Sequence, residues 1–190
     1  MSADYPLMDT ALTHDRTAGR PGTGAATRLL AFNDDVLAQG AALAAAHEAD
    51  AAAPFEPLVG PHLRHVIEHY EALLMRAGAH EVDYDSRPRD RALEHSPTLA
   101  RERIAALRAA LHGGGAGDID DPIVVHARIG LEGQWPLITT STVGRELVFL
   151  ASHAVHHYAL LREHCVRHGL AVSTHFGIAP ATVAHARQRH

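Results

Sequence analysis

Long runs of strong helix formers, each closed by proline or glycine, constrain this chain more than any other feature. Residues 25–52 are rich in Ala and Leu with no interior Pro, which predicts a first long helix until Pro54 and Pro57 break it. Gly60 followed by Pro61 marks the next start, because Pro at the first helical position gives up only an N–H that would be unpaired anyway. The run LRHVIEHYEALLMRAG then predicts a second helix ending near Gly78. HEVDYDSRPRD is charged and turn-prone and reads as a loop or tight connection. A third helix is expected over residues 96–112, stopped by the triple glycine at 113–115. The texture then changes: PIVVHARI and WPLITT are short and rich in β-branched residues with GLEGQ between them, which predicts a hairpin inserted between helices. Ser141 or Thr142 offers a side-chain oxygen to cap a fourth helix over residues 143–168, before Gly169. The expected fold class is therefore all-α: a four-helix bundle with one long crossover connection carrying a short β-hairpin.

A length of 190 residues, 46% of them hydrophobic, suits one domain with a substantial core, and no run is long enough to cross a bilayer. We expect that domain over residues 25–190, preceded by a loose arm over residues 1–24 that lacks the basic start and apolar stretch of a signal peptide. Formal charge is −5 and Lys and Arg are scattered, which argues against nucleic acid and against a polybasic membrane patch. Small molecules or proteins are the expected partners. A single cysteine, Cys165, excludes an internal disulfide and fits a reducing, cytoplasmic compartment.

The chain holds 17 histidines, as many as Lys and Arg together, so only spacing can separate ligands from ordinary surface residues. At about 100° per residue, His62, His65 and His69 fall within roughly 60° of one another at the edge of the apolar stripe of the second helix. On the fourth helix His153 and His157 stand one turn apart on one face, and their stripe runs upstream to Glu146 and downstream to His164. Facing helices that carry one His and a two-His turn can deliver three imidazole nitrogens to one ion and leave a position open for water or substrate. The ordinary alternative is that such histidines are hydrogen-bonded or surface residues, and in a chain this rich in His some pairs four apart arise by chance. His62, His69 and His156 read more naturally as ring partners, pocket walls or interface residues. Glu146 reads either as a carboxylate that orients a ring or as a first-turn helix residue.

At these residues the sequence resembles a known family. LRHVIEHYEALL, VDYDSRPRD, RELVFLASHAVHHYALLREH and HFGIAPAT together look like a DinB-like (DinB/YfiT) four-helix-bundle protein, over roughly residues 25–180. The resemblance implies a divalent metal held by one His of the second helix, here His65 with His62 and His69 as alternatives, and by a His-x-x-x-His pair of the fourth, His153 and His157. It leaves zinc, nickel and iron open as the ion. It also implies a small metalloenzyme that activates water or a thiol cosubstrate, of hydrolase or thiol-transferase type, with Glu146, His156, His62 and His69 as candidates for handling protons. The alternative is a non-catalytic metal-binding or stress-related binding protein. A two-fold homodimer is the expected assembly by base rate. In VDYDSRPRD the alternating Asp83, Asp85, Arg87 and Arg89 suit an ion-pair network that ties two helices together.

Overall fold

The computed structural model describes residues 23–50, 52–75 and 79–189. The expected arm falls outside these residues, apart from its last two positions, which begin a helix. Four long helices carry most of the core: α1 (Thr23–Ala49), α2 (Val59–Leu74), α4 (Pro97–His112) and α5 (Val143–Arg167). Both α1 and α2 pack against α4 and α5. Two short helices, α3 (Ala92–His95) and α6 (Pro180–Arg187), complete the helical set among the described residues.

The local causes of these elements are visible at their ends. Ser96 accepts a hydrogen bond from the Leu99 amide at 3.1 Å with Pro97 in the first turn, so α4 starts where a side-chain cap and a helix-compatible proline coincide. Thr142 does the same for α5, accepting from the Arg145 amide at 3.2 Å. Gly60 serves close approach: a Cβ there would stand 2.0 Å from the carbonyl oxygen of Glu94, so the start of α2 seats against α3 only because the side chain is missing.

The all-α expectation is overturned by a three-stranded mixed sheet, so the fold is helical and β together rather than an all-α bundle with a hairpin ornament. β2 (Pro122–Ile129) and β3 (Trp135–Thr142) form the expected antiparallel hairpin, with Val125 opposite Thr139. β1 (Glu81–Asp83) lies in the segment expected to be a loop, and it joins the far side of β2 in parallel, Val82 opposite Val125. The reason is local. Val82 is a single buried side chain between polar neighbours, too short a run to show an alternating pattern, and it is drawn into a strand by the open edge of β2. β3 also runs to Thr142, two residues beyond the expected end, and passes directly into α5. The sheet thus touches α2 through β1 and α5 through β3, and these are the two helices that carry the histidines.

Buried aromatics fix how the helices meet. Tyr70 donates to Asn33 Oδ1 at 2.8 Å, and Asn33 in turn donates to the Leu29 carbonyl at 2.9 Å. Tyr158 stacks on Phe176 and fills the space left by Gly40, where a Cβ would lie 2.5 Å from the tyrosine oxygen. Cys165 is fully buried with a free thiol.

Candidate functional site

α2 and α5 face each other with their histidine stripes. His65 Nε2 lies 2.8 Å from His153 Nε2, and His157 Nε2 lies 3.2 Å from the same atom. One nitrogen from each of the three rings falls within 4.8 Å of the others. His62 reaches the outer side of His157, Nδ1 to Nδ1 at 2.7 Å. His69 is buried, donates from Nδ1 to the His65 carbonyl at 2.6 Å, and stacks on Tyr84.

The hydrogen-bond pattern fixes a consistent set of tautomers. Arg87 Nη2 lies 3.0 Å from His65 Nδ1, and a guanidinium only donates, so Nδ1 accepts and the proton sits on Nε2. That proton points at His153 Nε2. His157 donates to the same atom from its own Nε2, which leaves its Nδ1 to accept from His62. Two N–H groups thus converge on one lone pair.

Electrostatics keeps these rings neutral. Burial pushes the His65 ring down to about 2, and repulsion from the neighbouring His69, His157 and His153 rings, if they too took up a proton, and from the Arg87 guanidinium adds to it. The same causes, burial first and then the neighbouring rings, bring His157 to about 3. His69 falls to about 4, again mainly by burial. His153 and His62 are lowered by burial and by His156. Neutral imidazole is the form that ligates a metal.

The donor set can be tested against an ion directly. Three imidazoles on a tetrahedral ion at metal–nitrogen distances of about 2.0–2.1 Å stand about 3.3 Å apart, nitrogen to nitrogen. The separations of 2.8 and 3.2 Å are close to that, so the rings fit an ion with small shifts. Two protons oppose it: Arg87 holds the His65 proton on the nitrogen that would face the ion and would have to turn away, and the His157 Nε2 proton would have to pass to Nδ1, with His62 changing from donor to acceptor.

The other expected residues separate. Glu146 is buried but belongs to a different set, accepting from Tyr84 at 2.8 Å, Ser141 at 2.6 Å and Arg145 at 3.3 Å. It orients no histidine; it stands in the first turn of α5, as the other reading had it, and ties β3 and the β1 loop to the helix. His156 is exposed at the rim with its ring 5.6 Å from that of His157. His164 leaves the site altogether and stacks with His47 at the far end of α5. The alternating charges of the β1 loop do not pair with one another. Arg87 turns inward to Glu68 at 3.6 Å, Asp83 accepts from Ser86, and Asp85 accepts the Arg128 amide at 2.7 Å.

Sequence reasoning missed Tyr84 and Phe149 as site walls. Phe149 stacks on His153 and contacts Tyr84, and with Arg145 and Glu146 they bound a cavity of about 360 Å³ beside the rings. Phe149 lies four residues before His153, a spacing that gave the available signal; Tyr84 comes from a loop and carried none. A larger cavity of about 730 Å³ lies beyond Arg87, lined by Glu68, Glu71 and Arg103. The smaller one adjoins the chemistry, because its walls Phe149 and Tyr84 stack on His153 and His69. Arg87 borders both the larger cavity and His65.

No helix among the described residues is long and apolar enough to cross a membrane. No protein-family model matches the chain, and no solved structure matches it. Among curated proteins it is similar to FK506-binding protein 5 of Rhizopus delemar, 33% identical over 108 residues, which is 57% of this chain and 28% of that protein. The chain thus spans little more than a quarter of the length of that relative, whose name neither supports nor excludes the DinB-like resemblance.

Proposed function

We propose that this chain is a metalloprotein related to the DinB-like proteins, in which His65, His153 and His157 hold one divalent ion, of zinc, nickel or iron type. The observation that carries this reading is the convergence of three neutral ring nitrogens within 4.8 Å, contributed by two facing helices. A bound ion would supply Lewis acidity, lowering the pKa of a coordinated water or thiol toward neutrality. Three imidazoles leave the ion's charge uncompensated, which suits an anionic fourth partner. The activity is then that of a small hydrolase or thiol-dependent transferase on a small-molecule substrate in the cytoplasm. The residues themselves would do the following. With an ion on His157 Nε2, that ring's proton would sit on Nδ1 and His62 would turn from donor to acceptor, fixing the ring. Phe149 and Tyr84 wall the rings from bulk water. His156, at the rim, stands beside His157 on the solvent side of the cluster.

Elemental analysis of untagged protein tests the reading. We expect about one equivalent of metal, lost in the His153→Ala, His157→Ala double variant while circular dichroism stays helical. Metal-free native protein that takes up no added zinc, nickel or iron would return these histidines to a hydrogen-bonded polar cluster. The similarity to the Rhizopus protein supports a second reading, ligand binding of the kind its name states. Calorimetric titration with FK506 separates the two, since saturable binding would favour the second.

A further inference from the structure

The hairpin presents an edge that no described element covers. Strand order is β1-β2-β3, so β3 has β2 on one side only. The direction of its free groups follows from the pairing. The Val124 amide donates to the His80 carbonyl at 2.8 Å, so even-numbered β2 residues turn to β1 and odd-numbered ones to β3. Val125 pairs with Thr139 and Ala127 with Leu137, so odd-numbered β3 residues face β2. The N–H and C=O groups of Ile138 and Thr140 therefore point outward. Pro136, which has no N–H, falls on that same outward set, where it removes nothing from the internal ladder.

Edge strands are normally blunted by charge, by a bulge or by a covering segment. From Trp135 to Thr142 there is no charged residue, and past Pro136 neither Pro nor Gly interrupts the strand. Its apolar side chains are open on both faces: Trp135 is 59% exposed and Ile138 67%. With Ile129, Leu131 and Leu137 they gather five exposed large apolar side chains on a single hairpin, the kind of concentration that marks an interaction site. Exposed apolar residues on the helices, such as Val148 and Leu160, are instead separated by polar neighbours.

We infer that β3 pairs antiparallel with β3 of a second copy of this chain, joining two three-stranded sheets into one of six strands. The occupant is a second copy because the edge is electrically neutral along its length. An antiparallel two-fold pairing sets a strand against itself, and any charge in it would meet a like charge near the axis. Such a pairing would satisfy the outward groups of Ile138 and Thr140 and cover the exposed apolar side chains from both sides.

Sedimentation equilibrium across about 1 to 100 μM tests this. We expect the native chain to approach twice its 20.4 kDa. Thr140→Pro removes an outward N–H, and Ile138→Lys places a charge at the axis. Each should give the mass of one chain, weakening association at least tenfold while circular dichroism stays native. The lysine variant decides the matter if the proline variant fails to fold. A native chain that stays monomeric over this range, or dimers that survive Ile138→Lys, would overturn the proposal. The first outcome would leave the edge for another partner or for the chain's own N-terminal residues.

Discussion

A neutral imidazole has one lone pair, and at His65 there are two uses for it. Arg87 donates to Nδ1, whereas an ion at Nε2 would drive the proton onto Nδ1, against the guanidinium. Arg87→Met should therefore tighten zinc binding about tenfold, the scale at which partners of a ligating ring act. The same change should lower stability by about 1–3 kcal/mol, because the buried Glu68 loses one of its cations and keeps Arg64 and the Asp90 amide. Competition against a chelating dye, beside urea unfolding, measures both, and weaker binding would show that Arg87 supports the site. His62→Ala should act in the opposite direction and weaken binding about tenfold or more, since an ion at His157 Nε2 moves that ring's proton to Nδ1, where His62 is the group at hand to accept it. The depressed ring pKa values add a pH dependence to the metal-free protein. The unfolded chain takes up protons at histidine below about pH 6.5, while the folded chain keeps His157 neutral to about 3 and His65 to about 2. Stability is thus complete above about pH 6.5 and falls as pH drops, by about 2 kcal/mol per ring on reaching about pH 5. Urea midpoints at the two pH values check it, and a flat profile would mean the rings are not neutral in the fold. The two-helix histidine geometry was legible because helix period alone fixes which residues share a face. Arg87 and Tyr84 were not, because their approach depends on a loop whose path no period encodes.

The same distinction governs whole elements. α1, α2, α4 and α5 could be read from composition and punctuation, since each is long enough for propensity to accumulate and most end at a proline, a glycine or a capping hydroxyl. The hairpin was legible from its β-branched runs. β1 and α3 were not: three and four residues give no periodicity, and both exist because a neighbouring element offers a surface to complete. That short strand is what turned an expected all-α fold into a mixed one. α3 matters in its own right, because α2 begins by touching it. A methyl group at Gly60 would fall 2.0 Å from the Glu94 backbone oxygen, and backbone yields less readily than a side chain. Gly60→Ala should therefore displace the first turn of α2 at a cost of about 3 kcal/mol, at the upper end of the usual range for overpacking. Because His62 lies in that first turn and His65 in the next, zinc affinity should fall together with the melting temperature. Loss of stability with unchanged affinity would show that the start of α2 and the histidine cluster are mechanically independent.

At the scale of the whole molecule, the histidines join helices that meet across the body of the protein. α2 packs against α3 and β1, while α5 arrives directly from β3. The cluster therefore lies where the helical layer and the sheet converge, and Glu146 adds a second junction by binding Tyr84 and Ser141 at once. Any ion held by His65, His153 and His157 would connect α2 to α5 over a separation of 88 residues in sequence, a contact that unfolding must break. Binding that selects the folded state raises stability by about 2.7 kcal/mol when free metal stands at a hundred times its dissociation constant. For a chain of this size that corresponds to an increase in melting temperature of about 5–10 °C. We expect this increase on adding zinc to chelator-treated protein, its reversal by excess chelator, and its absence in the His153→Ala, His157→Ala variant. A shift of equal size in that variant would place the stabilising ion elsewhere. A shift that survives Ile138→Lys would show that the metal acts within one chain, because that variant removes the proposed strand pairing and leaves the histidines untouched.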